Sequence, residues 1–73
     1  MDALLKSKVE RLLQGETIIF SNDQLNDLTG YRVMNHIRST LNSERLGTKD
    51  NWRCWIDVGS LARTNADNPF STD

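Results

Sequence analysis

The first apolar positions of the chain recur with helical spacing. They fall at i, i+4, i+7 and i+8 and so share one face of a helix: Leu5, Val9, Leu12 and Leu13. Asp2 can cap the first turn through its carboxylate, and Gly15 can adopt the positive φ that often ends a helix. The pattern predicts an amphipathic helix near the amino terminus. The β-branched and aromatic residues 17–20 that follow it predict a short strand.

The junction after this strand carries three signals for the start of another helix. Ser21 is a favoured N-cap residue, and Gln24 stands three positions later, where it completes a capping box. Phe20 and Leu25 occupy the two positions of a hydrophobic staple across the same cap. These signals agree and predict a short helix over residues 22–28.

A sharp turn at Gly30 separates this helix from a longer one, because glycine accepts the positive φ that such a turn needs. After the turn, apolar residues recur every four positions at Val33, Ile37 and Leu41, with Met34 beside them. This spacing predicts a helix that begins near Arg32 and ends at residue 44 or 45. Gly47 follows as a stop signal.

Apolar and polar side chains alternate after a turn at about residues 48–51, as in a strand with one buried face. The buried face would carry Trp52, Cys54, Ile56 and Val58, and the other face Arg53, Trp55 and Asp57. Trp55 then points into solvent, unless the faces are reversed at one end of the strand or the amino-terminal helix covers it. Leu61 and Ala62 can pack against the domain, and the polar residues 64–73, with Pro69, predict a loose tail.

The order helix, strand, short helix, glycine turn, longer helix and terminal strand or hairpin predicts an α+β fold of the winged helix-turn-helix type. Residues 1–63 would form this single domain, with the wing at residues 48–51. The segment from Phe20 to Tyr31 resembles the opening of small phage and plasmid regulators, similar to phage excisionases and MerR-like regulators. In that group a strand leads into a capped helix that ends in Leu-Thr-Gly. The resemblance covers about residues 17–58.

Two positions differ from the pattern of that group. The group has a buried residue six positions after the turn glycine, whereas this chain has His36 there and the apolar Ile37 one position later. The alanine that usually packs between the two helices is also absent near Leu25 and Asn26. A turn one residue longer, or a rotated second helix, would accommodate these differences.

Length and composition limit the class of protein. The chain has 73 residues, enough for one domain with a thin core. No stretch approaches the roughly 20 apolar residues of a membrane span, and the first residues lack the order of a secretory signal. Cys54 is the single cysteine and cannot form an internal disulfide. We therefore expect a protein of the cytoplasm.

The same residue counts give no basis for catalysis. His36 and Cys54 are the only histidine and cysteine, whereas a zinc site needs about three or four such ligands. Cys54 falls on the predicted core face, away from any cleft in which a nucleophile could act. No glycine-rich phosphate loop is present. We expect no metal, no cofactor, no small-molecule substrate and no enzymatic activity.

Charge is distributed unevenly along the chain. The net charge is −1, but residues 30–63 contain six basic and three acidic side chains, while both ends are acidic. The exposed face of the longer helix would carry arginines and asparagines, the residue types that read bases in the DNA major groove. An ordinary solvated helix face has the same composition, and so has a protein-binding face. Arg53 and an outward Trp55 are a second candidate, because exposed Trp and Arg are common interface anchors.

Two functions follow from these candidates. Duplex DNA binding takes roughly 6–10 phosphate contacts, more than this basic segment offers as a monomer, so a protein partner is favoured. In length and near-neutral charge the chain also looks like the small Xanthomonas phage type of transcription regulator. That resemblance implies binding to host RNA polymerase, inhibition of initiation by displacement of the sigma factor, and antitermination. The alternative is a sequence-specific double-stranded DNA-binding protein of the excisionase or repressor type. The predicted partner-binding residues are Arg32, Asn35, Arg38, Asn42, Arg45, Arg53 and Trp55.

Overall fold

A computed structural model describes residues 1–59 and 68–72. Within these ranges the protein is a small α+β unit with three helices and a three-stranded antiparallel sheet. The elements in chain order are α1 (Ala3–Leu13), β1 (Ile18–Ser21), α2 (Asn22–Asp27), α3 (Arg32–Thr40), β2 (Leu41–Arg45) and β3 (Asn51–Ile56). The strands lie in the order β1-β3-β2, so the last strand is the central one. No helix in the described ranges is long and apolar enough to cross a membrane.

Helix α1 confirms the first periodic pattern. The Asp2 carboxylate accepts a hydrogen bond from the Leu5 backbone N–H at 2.9 Å and so caps the first turn. Leu5, Val9 and Leu12 are fully buried in the core. Gly15 has a φ of +96° immediately after the helix. The apolar stripe therefore fixes which face of α1 packs on the sheet.

The start of α2 contains the predicted capping box. The Ser21 hydroxyl accepts from the Gln24 N–H at 3.1 Å, and the Gln24 side-chain oxygen accepts from the Ser21 N–H at 2.9 Å. Lys8 of α1 donates to the same Gln24 oxygen at 3.2 Å and to the Ile19 carbonyl at 2.9 Å. Phe20 is fully buried on one side of the cap. This junction therefore joins α1, β1 and α2.

Helix α3 is shorter than the periodicity predicts. It ends at Thr40, where the Ser39 and Thr40 hydroxyls donate to the His36 carbonyl at 3.2 and 2.7 Å. The chain then continues directly into β2, which pairs with β3 along its five residues. The prediction of a helix to residue 44 or 45 is wrong, because strand pairing with a distant segment outweighs the local helical spacing.

The two faces of the sheet differ in burial as the alternation predicts. Ile18, Phe20, Cys54 and Ile56 are buried on the inner face, where the helices pack. Trp55, on the outer face, is 40% exposed, so the predicted outward orientation is confirmed. The hairpin loop spans residues 46–50, close to the predicted turn.

Val58 departs from the predicted alternation. It was expected on the buried face with Cys54 and Ile56, but it is 50% exposed, so this prediction is wrong. The reason is that β3 ends at Ile56, two residues earlier than the pattern implies. Side chains alternate between the two faces of a sheet only within the strand, so the pattern does not determine the burial of residues beyond its end.

Residues 68–72 lie against the start of α3, within the range expected to form a loose tail. The carbonyls of Ser71 and Pro69 accept from the Arg32 and Val33 N–H groups, both at 2.7 Å. Helix α3 has no side-chain cap, so these carbonyls satisfy donors that would otherwise lack a partner in the helix. Phe70 packs on the core. Residues 60–67 and 73, including Leu61 and Ala62, lie outside the described residues.

Candidate functional site

The exposed face of α3 carries three of the predicted partner-binding residues. Arg32, Asn35 and Arg38 are all exposed, and the Arg38 guanidinium donates a hydrogen bond to the Asn35 side-chain oxygen. No acidic residue occurs between positions 28 and 43 of the sequence. We call Arg32, Asn35 and Arg38 the helix surface. It is a small basic face about two helical turns long.

Arg45 does not belong to this helix. It is the last residue of β2, opposite Trp52 of β3, and its guanidinium lies 4.8 Å from the centre of the Trp52 ring. This is a cation–π contact, which holds the arginine against the hairpin. Because Leu41 and Trp52 share this face of the sheet, Arg45 lies on the same side of the sheet as α3. Arg45 is therefore on the same side of the sheet as the helix surface, although it belongs to β2 and not to the helix.

The outer face of the sheet brings together the other three predicted residues. Asn42 of β2 is paired with Trp55 of β3, which corrects the expectation that Asn42 lies on a helix. Arg53 forms an ion pair with Glu44 across the same two strands. On the other side of β3, Ile19 is paired with Arg53 and is 49% exposed. We call Ile19, Asn42, Arg53 and Trp55 the sheet surface.

The seven predicted residues therefore form two surfaces on opposite sides of the sheet. One combines the helix surface with Arg45, and the other is the sheet surface. A single helical face was expected to hold both Asn42 and Arg45, and the strand β2 separates them because alternate residues of a strand point to opposite faces. The sheet surface is the one that combines an exposed Trp with exposed aliphatic and Arg side chains.

A pocket between α2, α3 and the β2–β3 hairpin was not predicted. Its volume is about 300 Å³. Its apolar lining comes from all four elements, as Leu25, Met34, Ile37, Leu41 and Trp52. Its polar lining consists of Asn22, Asn26, Arg38 and Ser43. Met34 and Leu41 are the apolar residues that could have indicated it, but their spacing predicts the buried face of one long helix.

His36 and Cys54, the two residues considered as metal ligands or nucleophiles, are buried. Burial lowers the pKa of His36, which is 8% exposed on α3. Burial also raises the pKa of the Cys54 thiol to about 11, and Cys54 lies on the inner face as predicted. Among residues 1–59 and 68–72, no three His, Cys, Asp or Glu side chains come together as metal ligands do. Both side chains are largely shielded from solvent.

No protein family, curated protein or solved structure matches this chain.

Proposed function

We propose that this chain is a winged-helix protein that regulates transcription by binding RNA polymerase, with the sheet surface as the main contact and the helix surface as a second one. The proposal is supported by the element order of the described residues and by the strand order β1-β3-β2, which are compatible with a winged helix whose wing is the β2–β3 hairpin. Inhibition of initiation or antitermination is the outcome that the resemblance to small phage regulators implies.

The choice of a protein partner depends on how the arginines are engaged. Arg53 is paired with Glu44, and Arg45 lies over Trp52. Arg38 donates to the Asn35 side chain, so three of the four arginines of the two surfaces already have partners within the chain. Helix α3 ends two residues after Arg38 and presents only two cations to a groove. A DNA binder makes roughly 6–10 phosphate contacts, which these few cations do not supply.

The sheet surface supports the same choice. Trp55 and Ile19 are 40% and 49% exposed on one face of the sheet. Their positions are diagonal across β1 and β3, about 7–8 Å apart, so one partner can cover both. An exposed Trp beside an Arg is the composition of a protein interface hot spot. The exposure of Trp55 and Arg53 on the same face of β3 is the observation that carries the proposal.

Sequence-specific binding to duplex DNA is the second candidate. The absence of acidic residues between positions 28 and 43 favours it, since Arg32, Asn35 and Arg38 would meet the major groove without repulsion. Lys49 in the hairpin loop would then lie near the phosphates. Binding of this kind depends steeply on salt concentration, which a protein interface centred on Trp55 does not.

The test measures binding of the purified chain to the RNA polymerase core enzyme of the cell that makes it, by surface plasmon resonance. We expect Trp55→Ala and Arg53→Glu to weaken binding by about tenfold or more. Arg11→Glu, the same charge reversal on α1, serves as the matched control and should change it by less than about threefold. Gel shifts with random duplex DNA at about 50 and 200 mM salt form the second arm. Salt-sensitive DNA binding without polymerase binding would overturn the proposal in favour of DNA.

A further inference from the structure

Part of the inner face of the β2–β3 hairpin is exposed to solvent. Leu41, Ser43 and Arg45 alternate along β2 on this face, yet only Leu41 is even half-buried. Ser43 is exposed, although its partner Cys54 on β3 is fully buried. A small side chain at this position leaves the space that a larger apolar residue would fill. The pocket of about 300 Å³ lies here.

The walls of this pocket are apolar and accessible. Leu25 of α2, Met34 of α3 and Trp52 of β3 line it and are each only half-buried. Ile37, which is almost fully buried, contributes its base. Ligand pockets start at about 300 Å³, and the anchors of protein interfaces are single large apolar side chains that fill such pockets. The pocket is therefore large enough for one such side chain.

The charge around the pocket is basic on the side of α3 and Trp52, whereas the Asp50 carboxylate lies at the Asn22 end, where it accepts from that side chain. Arg38 lines the pocket from α3, and Arg45 lies on the ring of Trp52, which forms part of the wall. None of the described lining residues is acidic. On α2 the pocket is lined by positions 22, 25 and 26, whereas by the 3.6-residue period Asp27 falls on the far side of the helix and Asp23 on its flank. An occupant with a carboxylate beside its apolar group, on the side of Arg38, is therefore favoured.

We infer that this pocket binds a peptide segment of the partner protein in which one large apolar side chain is flanked by acidic residues. The apolar side chain enters between Leu25, Met34 and Trp52, and a flanking carboxylate pairs with Arg38. The inference rests on the proposed function only in that the partner is a protein. It adds a third contact, distinct from the sheet surface, and gives the chemistry of the segment that fills it.

The test is a titration of the ¹⁵N-labelled chain with a blocked peptide that has Phe between pairs of Glu, followed by NMR. The two tryptophans give separate indole N–H signals, so the chain contains its own control. We expect a saturable shift of the Trp52 signal and of the Leu25 and Met34 amides, while the Trp55 signal stays in place. Replacing the peptide's Phe with Ala should abolish the shift. Replacing its Glu residues with Lys should weaken binding by about tenfold.

Two variants of the protein test the pocket itself. Arg38→Glu should weaken binding of the acidic peptide by about tenfold, whereas Arg32→Glu, on the same helix but outside the pocket, should change it by less than about threefold. Ser43→Phe should block the pocket from the exposed strand β2. Dispersed amide spectra of each variant show that it is folded. A folded Ser43→Phe variant that binds the peptide as well as the original chain would overturn the inference.

The remaining outcomes separate this inference from the proposed function. No Trp52 shift at about 5 mM peptide overturns the pocket inference alone, and polymerase binding is then judged by its own assay. Peptide binding without polymerase binding overturns the proposed function alone. Shifts of the pocket signals with duplex DNA, in place of the peptide, would overturn the inference and identify the groove as a nucleic-acid contact.

Discussion

Asn22 and Asp50 are joined by two hydrogen bonds although they are 28 positions apart. The Asn22 backbone N–H donates to the Asp50 carbonyl at 2.9 Å, and its side-chain amide donates to the Asp50 carboxylate at 3.2 Å. The Asn22 side-chain oxygen also accepts from the Trp52 indole. Asn22 is the first residue of α2, so these bonds join the hairpin to the helix beside the pocket that Asn22 and Trp52 line.

Asn22→Ala tests this connection. The variant keeps the backbone bond but loses the bonds to the Asp50 carboxylate and the Trp52 indole, so we expect the free energy of unfolding to fall by about 1–2 kcal/mol. Hydrogen exchange at the β2–β3 amides should also become faster. Asn26→Ala, at an exposed position of the same helix, should cost less than about 0.5 kcal/mol. Equal losses in the two variants would show that the Asn22 side chain contributes nothing specific.

Local signals predicted the first half of the fold. The stripe of α1 and the capping box at Ser21 are short-range features, because each depends on residues within a turn or two of one another. The alternation from Trp52 to Ile56 is likewise local, and it predicts which side chains of β3 lie on the buried face. The sequence does not indicate the role of Asn22, because its partners Asp50 and Trp52 become neighbours only when the hairpin folds back on α2.

The capping box predicts a stability effect of its own. Ser21→Ala removes the acceptor for the Gln24 N–H at the start of α2, and we expect a loss of about 1 kcal/mol in urea unfolding. Ser7→Ala is the matched control, since Ser7 is exposed within α1, where alanine favours the helix slightly. A Ser21→Ala variant as stable as the original chain would mean that the cap is redundant with the β1–β3 pairing.

Stability should depend on pH through His36. Burial lowers its pKa below the ordinary 6.5, so the unfolded chain binds a proton more readily than the folded one. The stabilisation is therefore complete above pH 6.5 and is lost as the pH falls below that value towards the folded pKa. We expect urea midpoints to decrease from pH 7 to pH 5. In His36→Gln, which lacks this titration, the decrease over that range should be smaller, and an unchanged slope would assign it to carboxyl groups.

The Cys54 thiol should be unreactive in the folded protein. It is fully buried, and its pKa of about 11 leaves roughly one thiolate in a thousand at pH 8. We expect labelling by a thiol-specific disulfide reagent to follow unfolding, with full reaction in urea and very slow reaction without it. Reaction of the folded chain at the rate of a small free thiol would show that β3 opens readily or that Cys54 is accessible.

The second half of the site could not be read from the sequence. Val33, Ile37 and Leu41 have the four-residue spacing of a helix, but Leu41 to Arg45 gain more by pairing with β3, which is a long-range contact invisible to local periodicity. The adjacent hydroxyl residues Ser39 and Thr40, which bond back to the His36 carbonyl, were the one local hint of the helix end. Because β2 is a strand, Asn42 and Arg45 fall on opposite faces, and the pocket arises between strand and helix.

Substitution of Phe70 tests how much residues 68–72 contribute to stability and to the start of α3. Its side chain packs on the core, and the Lys6 ammonium lies 5.5 Å from the centre of its ring. We expect Phe70→Ala to lower the free energy of unfolding by about 1–2 kcal/mol through lost apolar burial, and to speed hydrogen exchange of the Arg32 and Val33 amides. Lys6→Ala should cost less than about 0.5 kcal/mol, because the cation is exposed. If Phe70→Ala leaves both stability and exchange unchanged, the bonds from Ser71 and Pro69 do not hold the start of α3, and the helix surface is supported by the core alone.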